Sequence, residues 1–181
     1  MGLTGVLFCF IGFALVAIGS NRLYKIDDKS LAVIMFIAGG LSLIMNIVSM
    51  AYGIVTHQSS IWFYNSATGL MFAFTYIIIG CNTVWHLDGR LLGLYALWVA
   101  CNTIPAGILC FFNLGGDALF GIFWFIWGLL WLTMFIENNL HIDLGKPCAW
   151  AAILVGLITV WLPAWLMLMH DWMPFSIHLL S

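Results

Sequence analysis

The sequence predicts an all-α integral membrane protein of six transmembrane helices, arranged as three antiparallel hairpins within a single domain over residues 1–181. Three observations carry that prediction. Hydrophobic residues make up 64% of the chain and charged residues 7%, against roughly 25% charged in a soluble domain, and mean hydropathy is +1.10. Apolar runs with no charged residue in their interior recur at about 3–19, 31–55, 64–85, 91–112, 118–137 and 149–169, close to the roughly 20 residues that a helix needs to cross the hydrocarbon core. The connections are short, so sequence neighbours run antiparallel (one with two, three with four, five with six). A soluble fold would lack polar groups to cover its surface, and disorder and collagen fail on the same composition. A barrel would show ten-residue segments of alternating polarity, which are missing. Five Lys and Arg in total are too few for a nucleic-acid surface.

The first span starts at residue 3 with no Lys or Arg before it. A secretory signal would carry a positive region there, so the segment is expected to remain as a membrane span. Five cysteines, Cys9, Cys81, Cys101, Cys110 and Cys148, form no C-x-x-C pair and have no His at metal-ligand spacing. They read as small hydrophobes, and no metal or cofactor is expected.

Between spans one and two stand Arg22, Lys25 and Lys29, between three and four Arg90, and between five and six Lys146. All fall on one side. The positive-inside rule makes that side cytoplasmic and places both termini, His57 and Asp117 outside. Two short echoes raise an internal repeat without deciding it against chance: Cys81-Asn82-Thr83 recurs as Cys101-Asn102-Thr103, and Pro105-Ala106 as Pro163-Ala164.

No Asp or Glu lies inside a span; Asp27, Asp28, Asp88 and Asp143 sit in loops, Glu137 at a helix end, and Asp117 and Asp171 on the opposite side. Ion pumps and proton-coupled transporters need ionisable groups at membrane depth, and no phosphate-binding loop is present to harness a nucleotide. Any cargo is therefore expected to be neutral and its movement passive. Span five carries Phe120, Trp124, Trp127 and Trp131, spaced so that all four rings share one helix face over about 16 Å. An interfacial belt would sit at the helix ends rather than its centre. Packing against neighbouring helices and a ring-lined pore both remain open, the pore excluding hydrated ions while a planar neutral solute stacks on its walls. Such a solute needs a few polar partners, and Asn102, Thr75, Tyr76, Asn82 and Thr133 could supply them or could bond helix to helix.

Several stretches resemble the bacterial AmiS/UreI family of urea and short-chain amide channels. They are Ala67-Thr68-Gly69-Leu70-Met71-Phe72-Ala73-Phe74-Thr75-Tyr76, Asn102-Thr103-Ile104-Pro105-Ala106, Trp127-Gly128-Leu129-Leu130-Trp131-Leu132-Thr133 and Phe135-Ile136-Glu137-Asn138. Leu144-Gly145-Lys146 and Trp161-Leu162-Pro163-Ala164-Trp165 follow in the family's order, and the similarity runs from about residue 3 to 170. The resemblance implies a pore within each subunit, subunits in a ring (a hexamer in the best-known members), and passive urea permeation across the bacterial inner membrane toward a cytoplasmic urease or amidase. It implies constrictions at Trp124, Trp127, Trp131, Leu130, Phe72 and Tyr76, with Phe8, Ile11 and Leu15 from the first span.

Two departures bear on regulation. The acid-gated members carry a longer, histidine-bearing loop between spans two and three, where this chain has only about residues 56–62 with His57, and a glutamate in span six where this chain has Val155. Weak or absent acid gating is the expectation, with His57, Asp117, His170, Asp171 and His178 as the groups that could still sense pH. Glu137 closes span five, where the helix dipole disfavours an anion, so an ion pair with Arg90 or Lys146 is expected rather than a role at the cytoplasmic mouth. Two rivals to a channel are an enzyme acting through His86, Asp88 and Arg90, which has no nucleophile motif, and a structural scaffold that conducts nothing.

Overall fold

A computed structural model describes residues 2–57 and 59–169. Five uninterrupted helices come first: α1 Gly2–Tyr24, α2 Asp28–Val55, α3 Ser59–Trp85, α4 Gly89–Phe111 and α5 Ala118–Asn139. The sixth span is composite, with α6 Gly145–Val155, a π-helical turn Gly156–Trp161 and α7 Leu162–Leu168. All six are long and apolar enough to cross a membrane.

The acidic residues that avoid the spans start them. Asp27 accepts the Ser30 N–H at 2.9 Å, Asp88 the Arg90 N–H at 3.0 Å, Asp117 the Phe120 N–H at 2.8 Å and Asp143 the Gly145 N–H at 2.8 Å. Each satisfies a backbone donor that a helix start leaves unpaired, and each puts negative charge at the positive end of a helix dipole. These caps also explain why α2 and α4 begin earlier than hydropathy alone predicts.

The π-helical turn has a local cause. Pro163 has no N–H, so the Thr159 carbonyl would lose its α-helical partner, and widening the helix by one residue accommodates the ring. The Thr159 hydroxyl stays in register by donating to the Val155 carbonyl at 2.7 Å.

The spans close into a ring in chain order, but the tight pairs are not the expected hairpins. Close packing joins α2 to α3, α4 to α5, and the sixth span to α1, whereas α1 with α2, α3 with α4, and α5 with α6 touch more lightly. Small residues decide this, since helices in a bilayer gain association energy from close backbone approach. A Cβ on Gly121 would stand 2.8 Å from the Gly107 carbonyl oxygen, and one on Gly156 2.9 Å from that of Gly12. Gly39 crosses α3 at Ala73 in the same manner. The repetition thus lies in how pairs cross, and the sequence echoes do not follow it: Pro105 precedes the α4 crossing at Gly107, while Pro163 follows the one at Gly156.

Candidate functional site: an aromatic slot on the ring axis

The alternate helices α1, α3 and α5 turn their large side chains inward. Phe72 from α3 stands opposite the α5 stripe, its ring centroid 4.7 Å from Trp131, 5.4 Å from Trp127 and 5.8 Å from Trp124. From α1, Phe8 stacks on Phe120 at 6.1 Å and meets Trp127 edge-on at 5.7 Å. Trp124, Trp127, Trp131, Phe72, Tyr76, Phe8 and Ile11 are all buried, while Leu15 and Phe120 are half-buried against the same cluster. The four, three and four spacing of the stripe is what lets one α1 ring and one α3 ring touch several α5 rings.

Toward the basic end these rings leave a narrow cavity of about 30 Å³, room for about two waters. It is walled by Leu15 and Ile18 of α1, by Phe72, Thr75, Tyr76 and Ile79 of α3, and by Trp127, Leu130, Trp131 and Met134 of α5. Among the described residues no charged group touches it. The Trp131 indole N–H donates to the Thr75 hydroxyl at 3.1 Å, and that hydroxyl donates to the Met71 carbonyl at 2.7 Å, an acceptor shared with the Tyr95 hydroxyl at 3.0 Å. The Trp127 N–H donates to Thr159 at 2.8 Å, which ties the stripe to the π-helical turn.

Three of the polar candidates, Asn82, Asn102 and Thr133, lie elsewhere. Asn102 donates its amide to the Trp98 carbonyl of its own helix at 2.8 Å, and Thr133 donates to the Leu130 carbonyl at 2.6 Å while accepting from the Cys148 thiol at 3.4 Å. None of the three lines the slot. Short polar side chains on a helix find a carbonyl one turn back, so their presence in a span does not direct them to the axis. Conversely, Ile18, Ile79 and Met134 were missed, although each follows a candidate (Leu15, Tyr76, Trp131) by three residues on the same face. Thr159 had no such signal.

At the basic end Glu137 forms a two-pronged ion pair with Arg22, Nη1 to Oε2 at 2.8 Å and Nη2 to Oε1. The expected partners Arg90 and Lys146 are displaced because closing the ring brings the end of α1 against α5 and α6. Glu137 also accepts the Leu144 N–H at 3.3 Å, and Arg22 reaches the Cys148 thiol at 3.4 Å. Arg90 instead forks onto Asp88, with Nε 2.9 Å from Oδ2, and these bonds hold the Asp88 carboxyl down at about 2. A carboxylate so engaged is a poor general acid near neutrality, and His86 is an exposed neighbour with a left-handed backbone, φ 51°. Of the candidate pH-sensing groups, His57 is exposed, also at positive φ (56°), between α2 and α3, and Asp117 serves as the cap of α5. His170, Asp171 and His178 lie outside the described residues.

A closed ring of six membrane-length helices around an uncharged aromatic slot defines a multi-pass membrane protein of the small-solute transport class. The AmiS/UreI family transporter profile matches residues 3–171, and the chain belongs to that family. It is 41% identical over 194 aligned positions to the acid-activated urea channel of Helicobacter pylori, covering 93% of this chain and 98% of that one. The crystal structure of the urea channel from Helicobacter pylori superposes with a TM-score of 0.85 at 42% identity, covering 93% and 99% of the two chains. A protein of Mycolicibacterium smegmatis named for transport of amidate substrates is 29% identical over 170 residues, covering 93% of this chain and 78% of its own.

Proposed function

We propose that this protein is a passive urea channel of a bacterial inner membrane, delivering urea to a cytoplasmic urease, with both termini outside and subunits assembled in a ring, as a hexamer. The observation that carries the reading is the slot itself. Its walls hold rings packed edge to face, a threonine and a tyrosine hydroxyl, and no charge among the described residues, so a hydrated ion would be stripped without compensation while a flat neutral amide keeps both ring contact and hydrogen bonds. Membership in a family whose members include a urea channel supports the same cargo.

Short aliphatic amides form the second reading, favoured by the amidate-transporting relative. Acetamide replaces one amino group of urea with a methyl, and the slot offers that methyl apolar walls. Permeation through either route is independent of strong external acid in this proposal. The connection from α2 at Val55 to α3 at Ser59 is only a few residues long, and the alignment to the acid-activated relative is longer than this whole chain, so that relative holds segments with no counterpart here.

Stopped-flow urea uptake into proteoliposomes at external pH 5 and 7.5 tests all of this together. Saturation-free urea entry well above that of empty liposomes, similar at both values, is the expected result. Urea permeability equal to empty liposomes at both values sinks the channel reading; strong activation at pH 5 sinks the ungated one. A competition series of acetamide, propionamide and urea separates the two cargo readings.

A further inference from the structure

Three indoles share the α5 stripe, and their N–H groups are in different states. That of Trp131 is spent on Thr75 and that of Trp127 on Thr159. That of Trp124 has no hydrogen-bond partner among the described residues, although the side chain is 4% exposed. Its surroundings are the rings of Phe72, Phe120 and Trp127, with centroids at 5.8, 6.2 and 5.2 Å. Ring faces are weak acceptors at best. A buried donor left unpaired is uncommon in a native fold and calls for an explanation, such as a ligand that supplies the acceptor.

The position of Trp124 fits such a role. It lies one turn from Trp127 along the stripe, on the side away from the basic end, and it shares Phe72 with Trp127 and Trp131. Trp124 does not line the 30 Å³ cavity itself, but it touches Phe72 and Trp127, which do, and so stands next along the stripe from that constriction. We propose that the Trp124 indole N–H is the specificity donor of the channel, pairing with the carbonyl oxygen of a permeating urea or amide, while Trp127 and Trp131 act as walls held in place by threonines. This rests on the amide-channel reading above and adds to it the chemical requirement on the cargo: a strong carbonyl acceptor carried on a flat, neutral body. Shape and size alone would admit thiourea, whose sulfur accepts hydrogen bonds poorly. The free N–H discriminates against it.

The test compares urea and thiourea permeability in proteoliposomes of the full chain. Wild-type protein is expected to favour urea, and Trp124→Phe, which keeps a ring and removes the donor, is expected to lower the urea-to-thiourea ratio about 3- to 10-fold, as the loss of one ordinary hydrogen bond implies. Trp127→Phe and Trp131→Phe should alter both permeabilities together and leave the ratio within about twofold. A wild-type ratio retained in Trp124→Phe overturns the proposal. If Trp124→Phe does not assemble, the indole 15N–1H resonances of the wild-type protein decide. Urea should move the Trp124 signal and leave those of Trp127 and Trp131 in place, and an unmoved Trp124 signal in urea-permeable protein overturns it equally. Wild-type liposomes impermeable to urea would instead remove the channel reading on which it rests.

Discussion

The axis of the ring and its basic rim are built from opposite materials. Along the axis, ring packs on ring and the polar atoms present are mostly consumed by near neighbours, as in the Trp131–Thr75 and Trp127–Thr159 bonds. At the rim, charge is concentrated and matched: Arg22 with Glu137, Arg90 with Asp88, and Asp27 with the start of α2. The difference shows where each kind of interaction is affordable. Charges at the rim keep part of their hydration and do structural work as caps and clamps, whereas a charge on the axis would have neither water nor partner.

The strongest way to break that contrast is to put a charge on the axis. Phe72→Glu places a carboxylate amid three indoles with no cation in reach, at a cost of at least about 3 kcal/mol. Loss of the folded protein on size-exclusion chromatography is the expected outcome, and a stable, urea-permeable Phe72→Glu protein would contradict the account of the axis. Trp131→Ala comes next. Removing a buried indole costs about 3 kcal/mol of stability and opens the constriction, so permeability to solutes bulkier than urea should rise in stopped-flow assays on whatever protein assembles.

At the rim the expected effects are smaller and of a different kind. Glu137→Gln leaves Arg22 without its counter-charge, at side-chain exposures of 32% and 18% for the pair, and should lower stability by about 1–3 kcal/mol with urea permeability unchanged. Altered flux in a normally assembled Glu137→Gln protein would move Glu137 from clamp to mouth. The smallest effect concerns pH. Bonds from Arg90 and the α4 backbone lower the Asp88 carboxyl to about 2, and bonds from Ser30 lower that of Asp27. Both folded values lie below the unfolded one near 3.9, so their contribution is complete above that value and is lost only as pH falls through the folded ones. Thermal melting should therefore show no loss attributable to these caps between pH 7 and 5, and a loss below about 4.

Much of the axis was legible because helical periodicity converts spacing into a face: Phe120, Trp124, Trp127 and Trp131 had to share one side of α5 wherever α5 lay. Which face a lone polar residue chooses is not periodic information. Asn102 and Thr83 illustrate this, each bonding a carbonyl one turn back in its own helix. The partner of Glu137 was hidden for another reason. Arg22 is 115 positions away in the chain, and only ring closure brings them together, while Arg90 and Lys146 were nearer in sequence.

By itself the sequence determined six helices, their limits to within about five residues, the bunching of basic charge at one end and the neutrality of the spans, because hydropathy, capping and periodicity act over a few neighbouring residues. The tertiary structure decided which helices pair tightly, that α1 closes against the sixth span, that a π-helical turn holds Trp127, and that two of three indole donors are already spent. Those depend on backbone approach at Gly12, Gly107, Gly121 and Gly156, and a glycine does not announce in sequence which helix it will face.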